Sequence, residues 1–295
     1  MSLSIRFYER PDYDRALELL YENRRTHTHI DWYRAGRWLE LFPHRAGVAY
    51  QGERLVGLMG FSLPLNGASW LRLVAVDDQQ DTERILLALW QFWRDQHIAQ
   101  STQRVGVMVV YAWLTDYLPQ LGFHYDEDII TFFRPMSVLL PPEPKLGAIS
   151  IKSAYLDDIA ELTALDHQTF PPPWQLTSDE LRQAQRQAGS YTIAVLDGRI
   201  VGYQICTRHQ DHAHLARLAV APTAQGHGIG AALLHHLLHN MERRHVRSMS
   251  VNTQMSNLAS QKLYTRYGFT RNGYDLPVWL QRLPEPDSPP ASPST

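Results

Sequence analysis

The chain has 295 residues, which is too long for one ordinary domain and sufficient for two. Of these residues 44% are hydrophobic and 20% charged, which is typical of a globular protein. Its 28 Lys and Arg residues nearly balance its 30 Asp and Glu residues, which argues against nucleic acid or a membrane surface as a partner. The single cysteine, Cys206, excludes an internal disulfide and a cysteine-based zinc site, and the lack of a signal-peptide pattern or a membrane-spanning apolar stretch predicts a cytoplasmic protein.

Three short motifs occur twice along the chain, in the same order and at a nearly constant offset of 144 to 146 residues. The matched positions are Gly57 and Gly202, Val76 and Val220, and Gly122 and Gly268. A constant offset across three motifs predicts two tandem copies of one domain. We place the first copy at residues 1–136 and the second at 149–283. Between them lies a proline-rich linker, 137–148, and we expect the Pro/Ser-rich tail 284–295 to be disordered.

Each copy is predicted to be mixed α/β (α+β), a largely antiparallel sheet flanked by helices. In the second copy a short strand starting at Ile151 comes first, and Asp197-Gly198 is a strong hairpin turn signal. Helices are predicted over Leu156 to Thr169, Ser178 to Ala188, Ile229 to Arg243 and Leu258 to Tyr267. Strands are predicted over Tyr191 to Leu196, Arg199 to Thr207, His212 to Val220, Val246 to Asn252 and Tyr274 to Arg282.

A glycine-rich turn follows the strand that ends near Val220. Glycines at 226, 228 and 230 lead into an amphipathic helix. The first turn of a helix has unpaired amides and the positive end of the helix dipole, and glycines let an anion approach those amides closely. The pattern therefore favours a phosphate site, although a tight strand-to-helix turn without any ligand remains an alternative.

A second motif follows about 30 residues later, and the two motifs together indicate a protein family. Gln225-Gly-His-Gly228-Ile-Gly230, then Asn257, Leu263-Tyr264 and Gly268-Phe269 at their spacing, resemble the two signatures of the GNAT superfamily of N-acetyltransferases. The resemblance covers residues 149–282 well and residues 3–134 in outline. A tandem arrangement with a degenerate first copy also resembles the architecture of mycothiol synthase.

The resemblance implies an acetyl-CoA site in the second copy. The backbone amides of the pyrophosphate loop would hold the pyrophosphate, and the strand edge at Leu218 and Val220 would pair with the pantetheine arm beside a β-bulge. Asn257 would bind the pantetheine or the loop, and Tyr264 would protonate the leaving thiolate as general acid. The loop residues are Gln225, Gly226, His227, Gly228, Ile229 and Gly230.

The sequence offers more than one candidate for the general base. In the branch that acetylates protein N-termini, a Glu lies five residues before the motif Asn, and here that position is Asn252. We take His214 as the candidate base because a histidine titrates near neutrality. His212, Asp211 and a water relay remain alternatives. The segment from Phe170 to Trp174 resembles a loop that borders the acceptor pocket in that branch.

No metal is expected. His235 and His239 are spaced four residues apart on a predicted helix, but no third ligand is evident.

In the first copy, residues 81–86 are equivalent to the glycine-rich loop at the 144-residue offset. The glycines are absent there, and Asp77, Asp78, Asp81 and Glu83 crowd the turn. Acidic side chains complement a helix N-terminus and repel a phosphate, so we expect this copy to have lost or weakened cofactor binding.

The function implied is transfer of an acetyl group from acetyl-CoA to a primary amine of a small molecule, an amino acid or a peptide N-terminus. The alternative is a non-catalytic, acyl-CoA-binding regulatory protein. Tyr264 argues for the enzyme, and the absence of a Glu at position 252 keeps the alternative open. The sequence identifies neither the acceptor nor the oligomeric state.

Overall fold

A computed structural model of the chain describes residues 2–97, 102–145 and 147–284. The chain divides into two compact units. The N-terminal unit comprises Met1–Asp126 together with Leu276–Thr295, and the C-terminal unit comprises Glu127–Asp275. Over the described ranges, no helix is long and apolar enough to cross a membrane. The tail expected to be disordered lies outside the described residues from position 285 onward.

Helices and strands are interleaved along the chain. The first part contains β1 (Ser4–Phe7), α1 (Tyr13–Glu22), β2 (Arg25–Thr28), α2 (Ala35–Leu41), β3 (Ala46–Gln51), β4 (Arg54–Phe61), β5 (Ala68–Val76), α3 (Thr82–His97), β6 (Arg104–Met108) and β7 (His124–Pro135). The second contains β8 (Ser150–Ser153), α4 (Ile159–Thr169), α5 (Ser178–Gln187), β9 (Ala188–Leu196), β10 (Arg199–His209), β11 (His212–Val220), α6 (Ile229–Arg243), β12 (Ser248–Gln254), α7 (Leu258–Arg266), β13 (Thr270–Arg271) and β14 (Leu276–Arg282).

Each unit contains its own series of hydrogen-bonded strands. In the N-terminal unit the strand order is β1-β3-β4-β5-β6-β14, and β2 also pairs with β5. In the C-terminal unit the order is β7-β12-β11-β10-β9-β8, and β13 also pairs with β7. The described strand pairs are antiparallel except β5 with β6 and β11 with β12. The expected fold of two tandem domains, each a largely antiparallel sheet flanked by helices, is therefore confirmed.

The last strand of each sheet differs from the arrangement that the repeat predicts. The strand predicted to close the second copy, β14, pairs with β6 in the N-terminal unit, and β7 pairs with β12 in the C-terminal unit. Each unit thus contains the closing strand of the other copy. Two copies of one domain offer similar strand edges to similar strands, so a hydrophobic pattern alone does not specify which copy a closing strand joins.

Helices cover both faces of the C-terminal sheet. A Cβ added to Gly202 on β10 would meet Ile229 and Leu233 of α6, whereas the hydroxyl of the next residue, Tyr203, donates to Asp166 of α4. Successive strand residues point to opposite faces, so α6 covers one face and α4 the other. On the α6 face, Leu215 and Val251 pack with α6 and α7 residues in one apolar core.

Equivalent residues of the two copies make equivalent contacts. Gly57 pairs with Val76 across β4 and β5, and Gly202 pairs with Val220 across β10 and β11. Each glycine leaves room for the next helix, because an added Cβ would lie 2.4 Å from Cγ2 of Ile85 in the N-terminal unit. In the C-terminal unit the corresponding distance, to Cγ2 of an isoleucine 144 residues later, is 3.2 Å. The repeat seen in the sequence is a repeat of structure.

Candidate active site

The parallel strands β11 and β12 separate halfway along their length. They pair from His212 with Ser248 to Leu215 with Val251, and β11 then continues to Val220 paired only with β10 among the described strands. The cause is a bulge, since Ile205 pairs with Arg217 but the next residue of β10 pairs with Leu215, which leaves Ala216 without a partner. The edge that carries Leu218 and Val220 is therefore open, as the resemblance implies.

The glycine-rich turn lies at the end of this open strand and forms the start of α6. Gly226 and Gly228 both have φ near +80°, the left-handed region that favours glycine, and an added Cβ would meet no atom within 4 Å at either position. Residues 225–228 are exposed, and Gly228 is the N-cap without a side-chain cap. Ala232 donates the first helical hydrogen bond, to the Gly228 carbonyl at 3.0 Å, so the amides of 229–231 precede the ladder.

The open strand, the start of α6 and helix α7 meet at one place. An added Cβ on Gly230 would lie 3.6 Å from Cγ2 of Val220 and 3.7 Å from Cδ2 of Leu263. Leu218 and Val220 also pack against the apolar cluster that contains Ile229. The structure therefore brings together the predicted strand edge, the predicted anion loop and the helix that carries Tyr264.

Tyr264 lies on the α6 face of the sheet and is 4% exposed. Its ring packs 6.1 Å from that of Phe132 and 5.9 Å from that of Phe269, in the same core as Leu215 and Val251 of the separating strands. Burial raises the pKa of Tyr264 to about 12, against a smaller lowering by a hydrogen bond with Ser260. The phenol therefore keeps its proton at neutral pH, which a general acid requires.

Asn257 has a structural role that the sequence motif did not reveal. Its Oδ1 accepts a hydrogen bond of 3.1 Å from the Ser260 amide and caps the start of α7. The cap fixes the helix that carries Tyr264. The side-chain Nδ2 is not engaged by this bond, so a further contact with the pantetheine stays a prediction.

The histidines of β11 lie on the sheet face opposite Tyr264. His214 Nδ1 lies 2.9 Å from Oγ of Ser250, and the same hydroxyl lies 3.0 Å from Nε2 of His212. The ring of Phe133 stacks on that of His212 at 6.4 Å. Tyr264 and His214 therefore occupy opposite faces of one strand pair.

Asn252, at the position where a Glu was sought, pairs with Thr131 of β7. The hydroxyl of Thr131 lies within hydrogen-bonding distance of Oδ1 of Asn272 and of the Tyr274 carbonyl, and it can donate its one proton to either. Thr131 and Asn272 have neutral polar side chains, so neither can replace the carboxylate of the missing Glu.

A buried ion pair on the α4 face was missed by the sequence analysis. Asp166 is fully buried and accepts from Arg217 Nε at 2.8 Å and Nη2 at 2.6 Å, and also from the hydroxyl of Tyr203. The signal was an aspartate adjoining the apolar stripe of α4 that includes Leu162 and Leu165. A single sequence does not show that this aspartate faces inward.

The equivalent region of the N-terminal unit is closed. Strand β2 pairs antiparallel with the second half of β5, from Arg25 with Val76 to Thr28 with Leu73, while β4 pairs with the other edge of β5. Helix α3 starts at Thr82, which corresponds at the 144-residue offset to Gly226, so the turn that is open in one copy is helical in the other. Asp81 Oδ1 accepts from the Arg84 amide at 3.2 Å and caps this helix.

Cys206 lies in the apolar core of the C-terminal unit. Cys206 is fully buried, and burial raises the pKa of its thiol to about 12, which suits packing rather than nucleophilic catalysis. Within the part of the chain that the structure describes, no group of three His, Cys, Asp or Glu side chains is placed to hold a metal ion.

Comparison with known proteins agrees with this geometry. Residues 159–269 match the acetyltransferase (GNAT) family. The chain is 30% identical over 112 residues to [ribosomal protein bS18]-alanine N-acetyltransferase of Haemophilus influenzae, an alignment that covers 38% of this chain and 75% of the relative. The enzyme of the same name from Escherichia coli K12 is 28% identical over 120 residues, covering 41% and 80%. A solved tandem GNAT protein from the clavulanic acid biosynthesis pathway superimposes with a TM-score of 0.65 at 15% identity, covering 95% of this chain and 98% of that one.

Proposed function

Because this chain belongs to the acetyltransferase (GNAT) family and is an acyltransferase, we propose that its C-terminal unit binds acetyl-CoA and transfers the acetyl group to a primary amine. The acceptor class that we test first is a peptide N-terminus, since the similar enzymes are named as alanine N-acetyltransferases of ribosomal protein bS18. We place the reaction in the cytoplasm, where ribosomal proteins are made.

One observation supports the donor most strongly: an open strand edge runs into an uncapped, glycine-rich helix start. A pantetheine arm carries amide groups that can pair with the free edge of β11 beyond Ala216, as an added strand would. A pyrophosphate suits the exposed turn at 225–228, where glycine leaves the space above the backbone empty. The two features are joined by Val220, so one extended, anionic ligand can occupy both.

The proposed reaction is direct transfer within a ternary complex. The neutral amine nitrogen attacks the thioester carbonyl carbon, the new C–N bond forms, and the C–S bond breaks. Tyr264 donates its phenolic proton to the departing thiolate, and its raised pKa keeps that proton in place until then. His214 takes the proton that the amine loses, and its contact with Ser250 Oγ fixes the ring orientation.

The experiment that tests this proposal measures thiol release and peptide acetylation together. The protein is mixed with acetyl-CoA and a synthetic peptide beginning with alanine, and the matched control is the same peptide with a blocked N-terminus. We expect thiol release only with the free amine, and a slower rate at pH 6 to 7 for His214→Gln than for the unaltered protein. Binding of acetyl-CoA without transfer to the peptide, to free amino acids or to small primary amines would overturn the proposed activity.

A further inference from the structure

The ion pair between Asp166 and Arg217 occupies a specific position in the C-terminal unit. Arg217 lies between the bulged residue Ala216 and Leu218, the first side chain of the open edge. Its guanidinium reaches Asp166 Oδ2 at 2.6 Å, and only 12% of its side chain is exposed. Replacing such a buried ion pair by apolar packing is often neutral or stabilising, whereas the planar guanidinium meets a carboxylate in a specific geometry.

The same ion pair anchors the loop between α4 and α5 at three points. The Leu176 amide donates to Asp166 Oδ1 at 2.8 Å, and Arg217 Nη2 donates to the Trp174 carbonyl at 2.7 Å. The Phe170 ring lies 3.5 Å from the guanidinium carbon of Arg217. The start, middle and end of the loop are therefore all tied to one strand residue beside the bulge.

This arrangement links two parts of the proposed site. The loop presents Phe170 and Trp174, both half-buried aromatic side chains, on the α4 face of the sheet, the face that also carries His214. The strand presents the free edge on which the thioester would lie. The planar fork of Arg217 reaches the carboxylate and a loop carbonyl together, so it sets the loop's position relative to that edge.

We infer that Asp166 and Arg217 are positioning residues, which hold the loop from Phe170 to Leu176 in register with the open strand so that the acceptor amine meets the thioester. This inference rests on the proposed function. A displacement of about 1 Å between reacting groups is enough to lower a rate about 100-fold. The loop would supply the acceptor contacts, and the ion pair would place them.

The test compares Arg217→Lys with the control Tyr203→Phe. Lysine keeps the positive charge but has no planar fork to reach Asp166 and the Trp174 carbonyl together. Tyr203→Phe removes a hydrogen bond to the same carboxylate from β10, without altering a contact to the loop. With the alanine peptide we expect Arg217→Lys to raise the acceptor KM about tenfold or more and to lower kcat, with the acetyl-CoA Kd within about twofold. Tyr203→Phe should leave the acceptor KM unchanged.

Hydrogen exchange distinguishes this inference from the proposed activity, because it needs no acceptor. In Arg217→Lys the Leu176 amide should lose protection while the Ala232 amide of α6 keeps it. If Arg217→Lys fails to fold, Asp166→Asn serves instead, since it keeps the size of the side chain but removes the charge that holds Arg217, and the same loss of Leu176 protection and rise in acceptor KM are expected. Equal acceptor KM and equal Leu176 exchange in Arg217→Lys and Tyr203→Phe would overturn the inference. If Arg217→Lys changes the exchange of the Leu176 amide as expected but the unaltered protein shows no turnover, the result would instead count against the proposed function.

Discussion

Gly202 pairs with Val220 across β10 and β11, and 145 and 144 residues earlier Gly57 pairs with Val76 in the same way. In both units the glycine faces the helix that follows the second strand, and that helix begins at the candidate anion loop only in the C-terminal unit. The groove beside the second strand is open in the C-terminal unit and closed in the N-terminal unit. The same substitution can therefore be compared at equivalent positions of one chain.

Gly202→Ala should weaken acetyl-CoA binding, whereas Gly57→Ala should not. The added Cβ at 202 would lie 2.9 Å from the Ala219 carbonyl oxygen of β11 and 3.2 Å from both Ile229 and Leu233 of α6, so it would push apart the strand and the helix that form the groove. The cost of such overpacking is typically about 1–3 kcal/mol. Gly57→Ala has the closer contact, 2.4 Å from Ile85, and should lower the unfolding free energy at least as much. Calorimetric titration with acetyl-CoA and thermal unfolding separate the two effects, and equal acetyl-CoA affinities in both variants would contradict this prediction.

Gly228→Glu should lower acetyl-CoA affinity about tenfold or more. The position has φ near +80° and lies at the exposed N-terminus of α6, so the change adds both a strained side chain and a negative charge where the pyrophosphate would bind. Gly198→Glu is the matched control, because Gly198 has φ near +77° and open space around it in the turn between β9 and β10. Comparable loss of affinity in the two variants would mean that strain, rather than the anion site, is responsible.

Tyr264→Phe should lower kcat about 10²- to 10⁴-fold and leave the acetyl-CoA Kd unchanged. The ring stays packed between Phe132 and Phe269, so only the phenolic hydroxyl and its hydrogen bond with Ser260 are lost. Because burial raises the pKa of Tyr264 to about 12, its protonated form persists across the assay range. The pH profile of kcat should then show no falling limb from this residue below about pH 11. Full activity of Tyr264→Phe would remove the residue from the mechanism.

Cys206 should resist thiol reagents in the folded protein. The thiol is fully buried and its pKa is raised to about 12 by burial, so both access and the thiolate fraction are small at pH 8. A colorimetric thiol reagent should label it rapidly in denaturant and slowly without it, and activity should survive a short native exposure. Fast native labelling accompanied by loss of activity would indicate an accessible, functional thiol.

The sequence predicted the C-terminal unit well where local patterns decide the structure. The predicted bounds of the strand His212 to Val220 and the helix Ile229 to Arg243 are those observed, because hydrophobic periodicity and glycine conformations are local properties. The pairing of β14 with β6 was not predictable, since two similar sheet edges compete for one strand.

The sequence did not predict the contacts on the α4 face of the site. Arg217 resembles any strand arginine until Asp166 is known to lie opposite, and that contact spans 51 residues. The occupation of the first copy's groove by Arg25–Thr28 is a long-range pairing of the same kind. The loss of glycines at 81–86 correctly indicated that the two copies differ at the helix start, but it did not reveal that a strand closes the groove.

The most direct measurement is a calorimetric titration of the full-length chain with acetyl-CoA. We expect one site per chain, because the edge of β11 is open and the equivalent edge of β5 is paired with β2, and we expect Gly228→Glu to abolish or strongly weaken that site. Two sites per chain, or one site that Gly228→Glu leaves intact, would contradict the assignment of acetyl-CoA to the groove at Val220 and the start of α6.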